Sequence, residues 1–554
     1  MIGSLKKYLF EIILFGIIAV SVSSTLINKH KHVGEFNWQA ELWADQVGYY
    51  SYLPTFFIYD YDGHKLPDDI VEKTGGGFTV DSVSGKIKTR YTYGVALMQV
   101  PFFGLVHLYN KVNGLTTDGF SGNYHNIPNY ATLFYGIVGL ILLYFFLQIH
   151  FGKISSALAI LIILLGTNLF YYLTDTTGMS HSYSLFCFAA VLFFSTKIEK
   201  SILHFSLWIF FSMLTIVIRP INGIFVLATI FIVLSKREKP LEFIKSIFTK
   251  KNVLAIILIG FICLLPQFIY WHYLSGSLIH DSYQGESFTN LTNPKLIEFW
   301  FSFNNGLFPY NPIYFLLIPV FILLSLKRKV SGIVSLLVFL LVSYLCASWY
   351  SFSFGCGFGS RNFVEYTVLF SIPLAQFIKR IAQSKWFMKV LFVFPTLIFI
   401  IINQLLISNY EKCYKGLNDW DKEEYLWLLG RKLISKSSNN IEVISTEQEY
   451  SDILEYGGDS LYKTPYKSCI INSTTIHYTN NDPTIVCSIF DSDSVYFWKS
   501  ISLKNKIEKL NIEQRFSDEF LIPKVNNGNA VMRIYFWNIK HDSLMVQKLG
   551  FTLR

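Results

Sequence analysis

Apolar stretches of about 20 residues recur from Tyr8 to Ser408 of this chain. A helix of about that length is what crosses the hydrocarbon core of a bilayer, so the series constrains the fold more than any single motif. Charged residues make up 15% of the 554 residues and hydrophobic residues 52%, whereas a soluble protein carries about a quarter charged residues. In lipid the backbone must pair its own polar groups, so we predict an α-helical polytopic membrane protein.

About eleven membrane spans are predicted from these stretches. They lie near residues 8–27, 129–150, 154–172, 182–197, 201–218, 221–235, 252–272, 309–326, 330–348, 363–378 and 388–408. Most basic clusters fall on one side, which is the cytoplasmic side in membrane proteins. These clusters are Lys6/Lys7, Lys153, Lys197/Lys200, Lys236/Arg237/Lys239, Lys327/Arg328/Lys329 and Arg380/Lys385. The chain is therefore predicted to be multi-pass in the inner (plasma) membrane, with a cytoplasmic N-terminus and an extracytoplasmic C-terminus.

A long outer segment, residues 28–128, follows the first span. Its stretch Tyr91–Tyr109 is apolar enough to suggest another span, but Pro101 interrupts it and Gly94 and Gly104 weaken it. We therefore predict an interfacial or re-entrant helix there, one of two or three in this segment. A connection of this length between spans usually has a function of its own.

The composition changes after Tyr410. Residues 1–410 are predicted as the membrane domain, 411–436 as a linker and 437–554 as a separate polar domain. In the polar domain apolar and polar residues alternate, as in half-buried strands, along Cys469–Tyr478, Ser494–Leu503 and Val531–Asn538. This pattern predicts a C-terminal extracytoplasmic β-sandwich.

Charge and cysteine usage limit the partners. The formal net charge is +9, but most basic clusters lie in short loops between spans, where they set topology, so no nucleic-acid partner is predicted. The seven cysteines follow no metal-ligand spacing. Cys469 and Cys487 lie outside the spans, and they either pair as a disulfide or remain two thiols.

Residues Glu41–Pro54 place two carboxylates among aromatic residues directly after the first span. An acidic side chain just outside the bilayer suits a general base that acts on a lipid-linked substrate. Asp45 is the first candidate for this base and Glu41 the second. The alternative is an aromatic interface belt with incidental acids, which membrane proteins commonly have.

Four further segments are predicted to face the same side as Asp45. The first contains Asp175 and His181, and the second contains Arg219. The third is the loop Tyr273–Phe308, and the fourth is the glycine-rich stretch 348–365. His280 and Asp281 in the loop could contact a metal ion, but two adjacent residues cannot specify a site. The convergence on one side of the membrane indicates an outer active site.

Arg361 and Glu365 end the glycine-rich stretch. The guanidinium of Arg361 can hold a phosphate with two hydrogen bonds. Glu365 lies one helical turn later and could orient that guanidinium. The alternative is a structural Arg361–Glu365 pair that closes a loop. Arg219 is either a second phosphate ligand or a helix-end arginine that reaches for the interface. His181 is either a residue of the active site or a histidine at the membrane interface whose ring nitrogens have structural hydrogen-bond partners.

The order of these elements resembles the GT-C class of glycosyltransferases, in the manner of the protein O-mannosyltransferases and the lipid A aminoarabinose transferases. In those families an Asp-Glu pair opens the first outer loop and a tyrosine follows. Here Asp45 and Gln46 stand in that place, followed by Tyr49 and Tyr50. The resemblance covers about residues 1–410, and Gln46 replaces the usual second acid.

The resemblance implies transfer of a sugar from a polyprenyl phosphate to an acceptor hydroxyl on the outer face, with inversion at the anomeric carbon. Asp45 would take the acceptor proton, and Arg361, with Arg219, would hold the leaving phosphate. Tyr49 and Tyr50 would stack on sugar faces.

Asp175 would be a second acid, or it would bind a divalent cation if one is used. The implied partners are a polyprenyl-phosphate-linked sugar, membrane lipid and a glycan, lipid or protein acceptor. Two other classes stay open: a polymerase or ligase of surface polysaccharide, which would have its large loop late in the chain, and a flippase or transporter of lipid-linked sugars, which would have ionisable residues at mid-span.

Overall fold

The computed structural model of the chain describes residues 8–31, 33–35, 39–283, 285–355, 357–410, 422–430, 441–444, 454–457, 468–478, 484–491, 494–502, 514–522, 530–537 and 544–553. The chain divides into two compact units. The membrane unit comprises Met1–Lys29 and Glu35–Lys412, and the strand unit comprises His30–Gly34 and Cys413–Arg554.

Five helices in the described part of the membrane unit are long and apolar enough to cross a bilayer: Leu9–His30, Gly122–Phe151, Lys250–Ser275, Val330–Ser348 and Trp386–Asn409. Five shorter apolar helices accompany them: Lys153–Gly166, Ser180–Ser195, Ile202–Ile218, Pro220–Leu234 and Tyr314–Leu326. The helix Thr367–Ile381 adds 15 residues. A helix therefore lies at each predicted span, and the prediction of a helical membrane protein is confirmed.

The remaining described helices of the membrane unit are short or amphipathic. They are Asp45–Tyr50, Tyr52–Phe57, Ile70–Lys73, Gly94–Val112, Leu169–Thr174, Pro240–Ile247, Leu296–Phe301 and Leu307–Tyr310, with 3₁₀ turns at Gly63–Lys65, Gly122–His125, Pro220–Asn222 and Arg361–Phe363. The helix Gly94–Val112 covers the segment predicted to be interfacial and has Pro101 inside it. Although it is 19 residues long, it is not among the five candidate spans.

The outer segment folds into a lobe with its own aromatic core. Tyr50, Phe103, Phe120 and Tyr124 are buried together in it, and Tyr270 joins them from the helix Lys250–Ser275. The hydroxyl of Tyr270 accepts a hydrogen bond of 2.8 Å from the backbone N–H of Thr89. This core fixes the outer lobe, residues 39–125, to a membrane helix.

The strand unit contains eight described strands in two four-stranded antiparallel sheets. The first sheet has the spatial order Ile441–Ile444, Leu544–Leu553, Ser468–Tyr478 and Gln514–Leu521. The second has the order Leu454–Gly457, Val531–Trp537, Thr484–Asp491 and Ser494–Ser502. The three strands named from the sequence are among them, and a short helix, Lys422–Gly430, lies within the predicted linker.

Candidate active site

Asp45 begins the first short helix of the outer lobe, directly after an unusual turn. Ala44 has φ 47°, a left-handed backbone conformation that alanine rarely adopts. Its N–H donates to the carbonyl of Thr74 at 2.8 Å, and its carbonyl accepts from the N–H of Gly48 at 3.0 Å. A Cβ at Gly77 would overlap the carbonyl oxygen of Ala44, so only glycine fits against this turn. The turn sets the direction of the Asp45 side chain.

Both oxygens of the Asp45 carboxylate have partners. Oδ2 accepts a hydrogen bond of 2.9 Å from Nη1 of Arg361, which is 316 positions away in sequence. Oδ1 accepts a very short hydrogen bond from the Tyr91 hydroxyl. The Asp45 side chain is still 33% exposed and that of Arg361 21%. The pair is therefore partly accessible to solvent.

The charge of Arg361 determines the protonation of Asp45. Burial by itself would raise the pKa of the carboxyl, but the positive charge of Arg361 and the hydrogen bonds from Tyr91 and Arg361 lower it overall. Burial and the nearby carboxylate raise the pKa of Tyr91 well above its usual value. Asp45 is thus an anion and Tyr91 a protonated donor at neutral pH.

The glycine-rich stretch presents Arg361 through an ordered loop. Gly359 has φ 64° and packs against Tyr310, where a Cβ would come within 2.9 Å of the tyrosine Cβ. Between the glycines, the ring of Phe358 stacks on Tyr171 with centroids 4.9 Å apart, and its N–H donates to the hydroxyl of Tyr172. The loop ends in the 3₁₀ turn Arg361–Phe363, which brings the guanidinium to Asp45.

A second carboxylate, Glu365, lies in a buried ion cluster with His181, Arg219 and Asn362. Its oxygens lie 2.7 Å from Nδ1 of His181 and 2.9 Å from Nη1 of Arg219. Nη2 of Arg219 donates to Oδ1 of Asn362 at 2.6 Å. Glu365 is fully buried, whereas the Arg219 side chain is 22% exposed. The cluster fixes Arg219 while leaving part of its guanidinium accessible.

Tyr49 connects the two carboxylate pairs. Its ring lies 4.2 Å from that of Tyr91, and its hydroxyl donates to Oγ of Ser180, next to His181, at 3.1 Å. Burial raises the pKa of Tyr49, and the charges of Arg219 and Asp45 both act on its hydroxyl. Tyr49 thus lies close to both the Asp45–Arg361 pair and the cluster around Glu365.

Two further charged residues adjoin this site: Glu286, from the loop Tyr273–Phe308 predicted to face the same side, and Arg90, which was not predicted to act in it. Arg90 pairs with Glu286 at 2.6 Å, and its charge acts on Asp45. Tyr283, in the same loop as Glu286, packs edge-on against Tyr91 with centroids 6.5 Å apart. Arg90 directly precedes the apolar stretch that drew attention in the sequence, and its basic charge beside that stretch was the available signal.

Three side chains that the sequence predicted to act in the site have partners elsewhere in the structure. Glu41 is buried and contacts His125 and Asn129 at 3.3 and 3.2 Å. Asp175 pairs with Lys29 at 2.8 Å. The ring of Tyr50 is fully buried in the outer lobe.

The Tyr50 hydroxyl donates to the Gly119 carbonyl at 2.6 Å, so this ring packs in the lobe and offers no face to a sugar. The predicted Arg361–Glu365 contact is replaced by the pairs with Asp45 and Arg219. Among the described residues no group of three or more His, Cys, Asp or Glu side chains could hold a metal ion.

Solved structures resemble the fold of this chain, whereas no protein-family model and no curated protein matches the sequence. The oligosaccharyltransferase AglB of Archaeoglobus fulgidus, in complex with an inhibitory peptide and a dolichol-phosphate, aligns over 77% of this chain at 12% identity, with a TM-score of 0.45. The chain spans 60% of its length. ArnT from Cupriavidus metallidurans, bound to undecaprenyl phosphate, aligns over 76% of this chain and 69% of its own at 13% identity, with a TM-score of 0.42. Both are GT-C glycosyltransferases, the class that the sequence resembles.

Proposed function

We propose that this protein is an inverting glycosyltransferase of the membrane that moves a sugar from a polyprenyl phosphate to an acceptor hydroxyl. The observation that carries the proposal is the half-open pair of Asp45 and Arg361, with Arg219 beside it. A base and a phosphate-binding cation at one opening are the two groups that such a transfer requires. The donor class is the one bound in the similar archaeal and bacterial structures.

In this proposal Arg361 contacts both the general base, Asp45, and the donor phosphate. Only Nη1 contacts Asp45, and the guanidinium has further N–H donors that can bind phosphate oxygens. Arg219, fixed by Glu365, supplies a second cation for the same phosphate. The two arginines stabilise the negative charge that develops on the leaving phosphate as the glycosidic bond breaks.

Asp45 is proposed as the general base. With Arg361 alone beside it the carboxylate is a weak base, because its pKa is lowered. A donor phosphate on Arg361 would place a negative charge near Asp45, and a like charge raises the pKa of a carboxyl. Donor binding would thus make Asp45 a better proton acceptor for the incoming hydroxyl.

The other residues of the candidate site are given supporting roles in this reaction. Tyr49 would contact the sugar, since it lies between the two carboxylate pairs. His181 and Glu365 would act through Arg219. Glu41 and Asp175 stay further candidates for acid–base or divalent-cation roles, although the partners described above favour structural ones.

The proposed membrane arrangement follows the sequence. About eleven helices would cross the inner membrane, with the N-terminus in the cytoplasm and the outer lobe, the site and a β-sandwich built from the two sheets outside. The acceptor would be a glycan, a lipid or a protein that reaches the site from the extracytoplasmic side.

The test is transfer by purified protein in proteoliposomes from a radiolabelled polyprenyl-phosphate sugar. Asp45→Asn should lower transfer roughly 100- to 10,000-fold while leaving donor binding in place. Asp68→Asn is the matched control, because Asp68 is an exposed acid of the same outer lobe. Wild-type turnover by Asp45→Asn would remove Asp45 as the base, and lipid-linked sugar that crosses the bilayer without transfer would favour a flippase.

A further inference from the structure

Two cysteines of the strand unit occupy inner strands of different sheets. Cys469 lies in Ser468–Tyr478, which has a neighbouring strand on each side in the first sheet. Cys487 lies in Thr484–Asp491, which has the same inner position in the second sheet. The two cysteines are therefore held by separate hydrogen-bonded ladders.

The two thiols nevertheless contact each other. Both cysteines are fully buried, and the Cys487 thiol lies within hydrogen-bonding distance of that of Cys469. The residue opposite Cys469 on the next strand is Leu553, and the one opposite Cys487 is Ile534. Both of these are buried as well. On its other side Cys487 lies opposite Lys499, which is also buried. The contact therefore links the inner strands of the two sheets in the interior of the strand unit.

Burial also restricts when this pair can react. Thiol–disulfide exchange requires a thiolate, and burial raises the pKa of the Cys469 thiol well above its usual value. In the folded unit the thiol is protonated and shielded from a protein oxidant. Oxidation would therefore occur while the strands are still assembling, when both thiols are accessible.

We propose that Cys469 and Cys487 form an intersheet disulfide during folding on the extracytoplasmic side, a location that belongs to the proposed function but does not depend on the transfer reaction. Each thiol loses its proton, one S–S bond forms between the two sulfurs, and two electrons pass to the disulfide of a thiol-disulfide oxidoreductase. That oxidant is reduced to its dithiol form. The alternative is a pair of buried thiols that only fill the core.

Counting reactive thiols tests the pair in the full-length protein. Membranes are denatured and treated with a maleimide that adds a fixed mass to each free thiol, with and without prior reduction. The chain has seven cysteines, so we expect five labels without reduction and seven after it. Mass spectrometry of the unreduced digest should identify one peptide pair that joins Cys469 to Cys487.

Two variants identify the pair. Cys469→Ala should give six labels with or without reduction, because Cys487 loses its partner. Cys346→Ala is the matched control, since Cys346 is a buried thiol of the helix Val330–Ser348. It should give four labels before reduction and six after. The peptide measurement on the wild type remains decisive even if a variant folds poorly.

Seven labels without reduction would overturn the disulfide. Protease added outside intact cells then separates the causes. If it cleaves the strand unit, the unit is extracytoplasmic and only the disulfide is wrong. If the unit is protected, the proposed orientation of the protein is wrong too. Transfer activity, measured on the same membranes, reports on the proposed reaction independently of both results.

Discussion

Asp45 and Glu365 are both carboxylates paired with an arginine, yet their surroundings differ. Asp45 is 33% exposed and shares its two oxygens between Arg361 and the hydroxyl of Tyr91. Glu365 is fully buried and binds Arg219 and His181 at the same time. The two arginines are about equally exposed, so the difference lies in the carboxylates: that of Asp45 is partly accessible, and that of Glu365 is not.

The difference indicates that Asp45 contributes mainly to activity and Glu365 mainly to stability. A buried ion pair has already lost its hydration, so removing one partner leaves a charge with poor compensation. A half-exposed pair can exchange partners, because water or a ligand can replace either one. We therefore expect substitutions at Asp45 to change activity more than stability, and substitutions at Glu365 to change stability first.

Asp45→Asn should produce the largest loss. The amide keeps the shape of the side chain but accepts no proton, so we expect transfer to fall roughly 100- to 10,000-fold, the usual contribution of a general base. The free energy of unfolding should change by less than about 1 kcal/mol, as for a partly exposed ion pair. Initial rates and thermal unfolding in detergent measure the two effects. A large fall in stability would contradict the idea that Asp45 contributes mainly to activity.

Glu365→Gln should have the opposite profile. Arg219 would lose its carboxylate partner in a buried place, which costs about 3 kcal/mol, the lower end of the range for broken buried pairs. The lower end applies because Arg219 is 22% exposed. Thermal unfolding measures this cost. Should Glu365→Gln unfold like the wild type while losing transfer as completely as Asp45→Asn, Glu365 would take part in the reaction and would not act mainly on stability.

Arg361→Lys should weaken the donor site by an intermediate amount. Lysine keeps the positive charge, but it lacks the planar set of N–H donors that lets arginine bind a carboxylate and a phosphate at the same time. We expect a loss of about 1.5–3 kcal/mol, typical of hydrogen bonds to charged groups, seen as a higher donor KM together with a lower kcat. An unchanged donor KM would mean that Arg361 only neutralises Asp45.

The smallest effect concerns pH. Asp45 acts as a base only when ionised, so activity falls as the pH drops through its pKa, which Arg361 holds below the ordinary value. Any stability that this lowered pKa provides is likewise lost as the pH falls through it. Arg361→Gln removes the positive charge, so the pKa of Asp45 should rise and the acid limb of kcat/KM should move to higher pH.

Arg361→Lys is the control for this measurement, since it keeps the charge, and its acid limb should stay near that of the wild type. An identical acid limb in both variants would show that another group controls the profile.

Much of the fold could be predicted because the membrane limits the possibilities. Apolar length alone located the helices, and the helix Gly94–Val112, predicted to be interfacial, is not among the candidate spans. The strands Ser468–Tyr478 and Val531–Trp537 followed from alternation. The partners inside the site could be predicted less well, since span counting gives the side of the membrane and no distances.

Individual residues show why. The spacing of Arg361 and Glu365 predicted a contact across one helical turn, but residues 361–363 form a 3₁₀ turn and the next helix begins at Thr367, so that geometry does not arise. Tyr49 and Tyr50 are adjacent on a short helix and point in different directions. One contacts Ser180 and the other fills the lobe core, which no sequence pattern could distinguish.

The 316-residue separation of Asp45 and Arg361 has a consequence for the synthesis of the protein. At about 5–20 residues per second, roughly 15–60 s pass between the translation of one residue and that of the other. During that interval the outer lobe can complete its aromatic core only after Tyr270 has been made, and Asp45 waits longer still for its arginine. In the proposed orientation, the acidic centre of the site therefore leaves the cytoplasm early and is among the last parts to be neutralised.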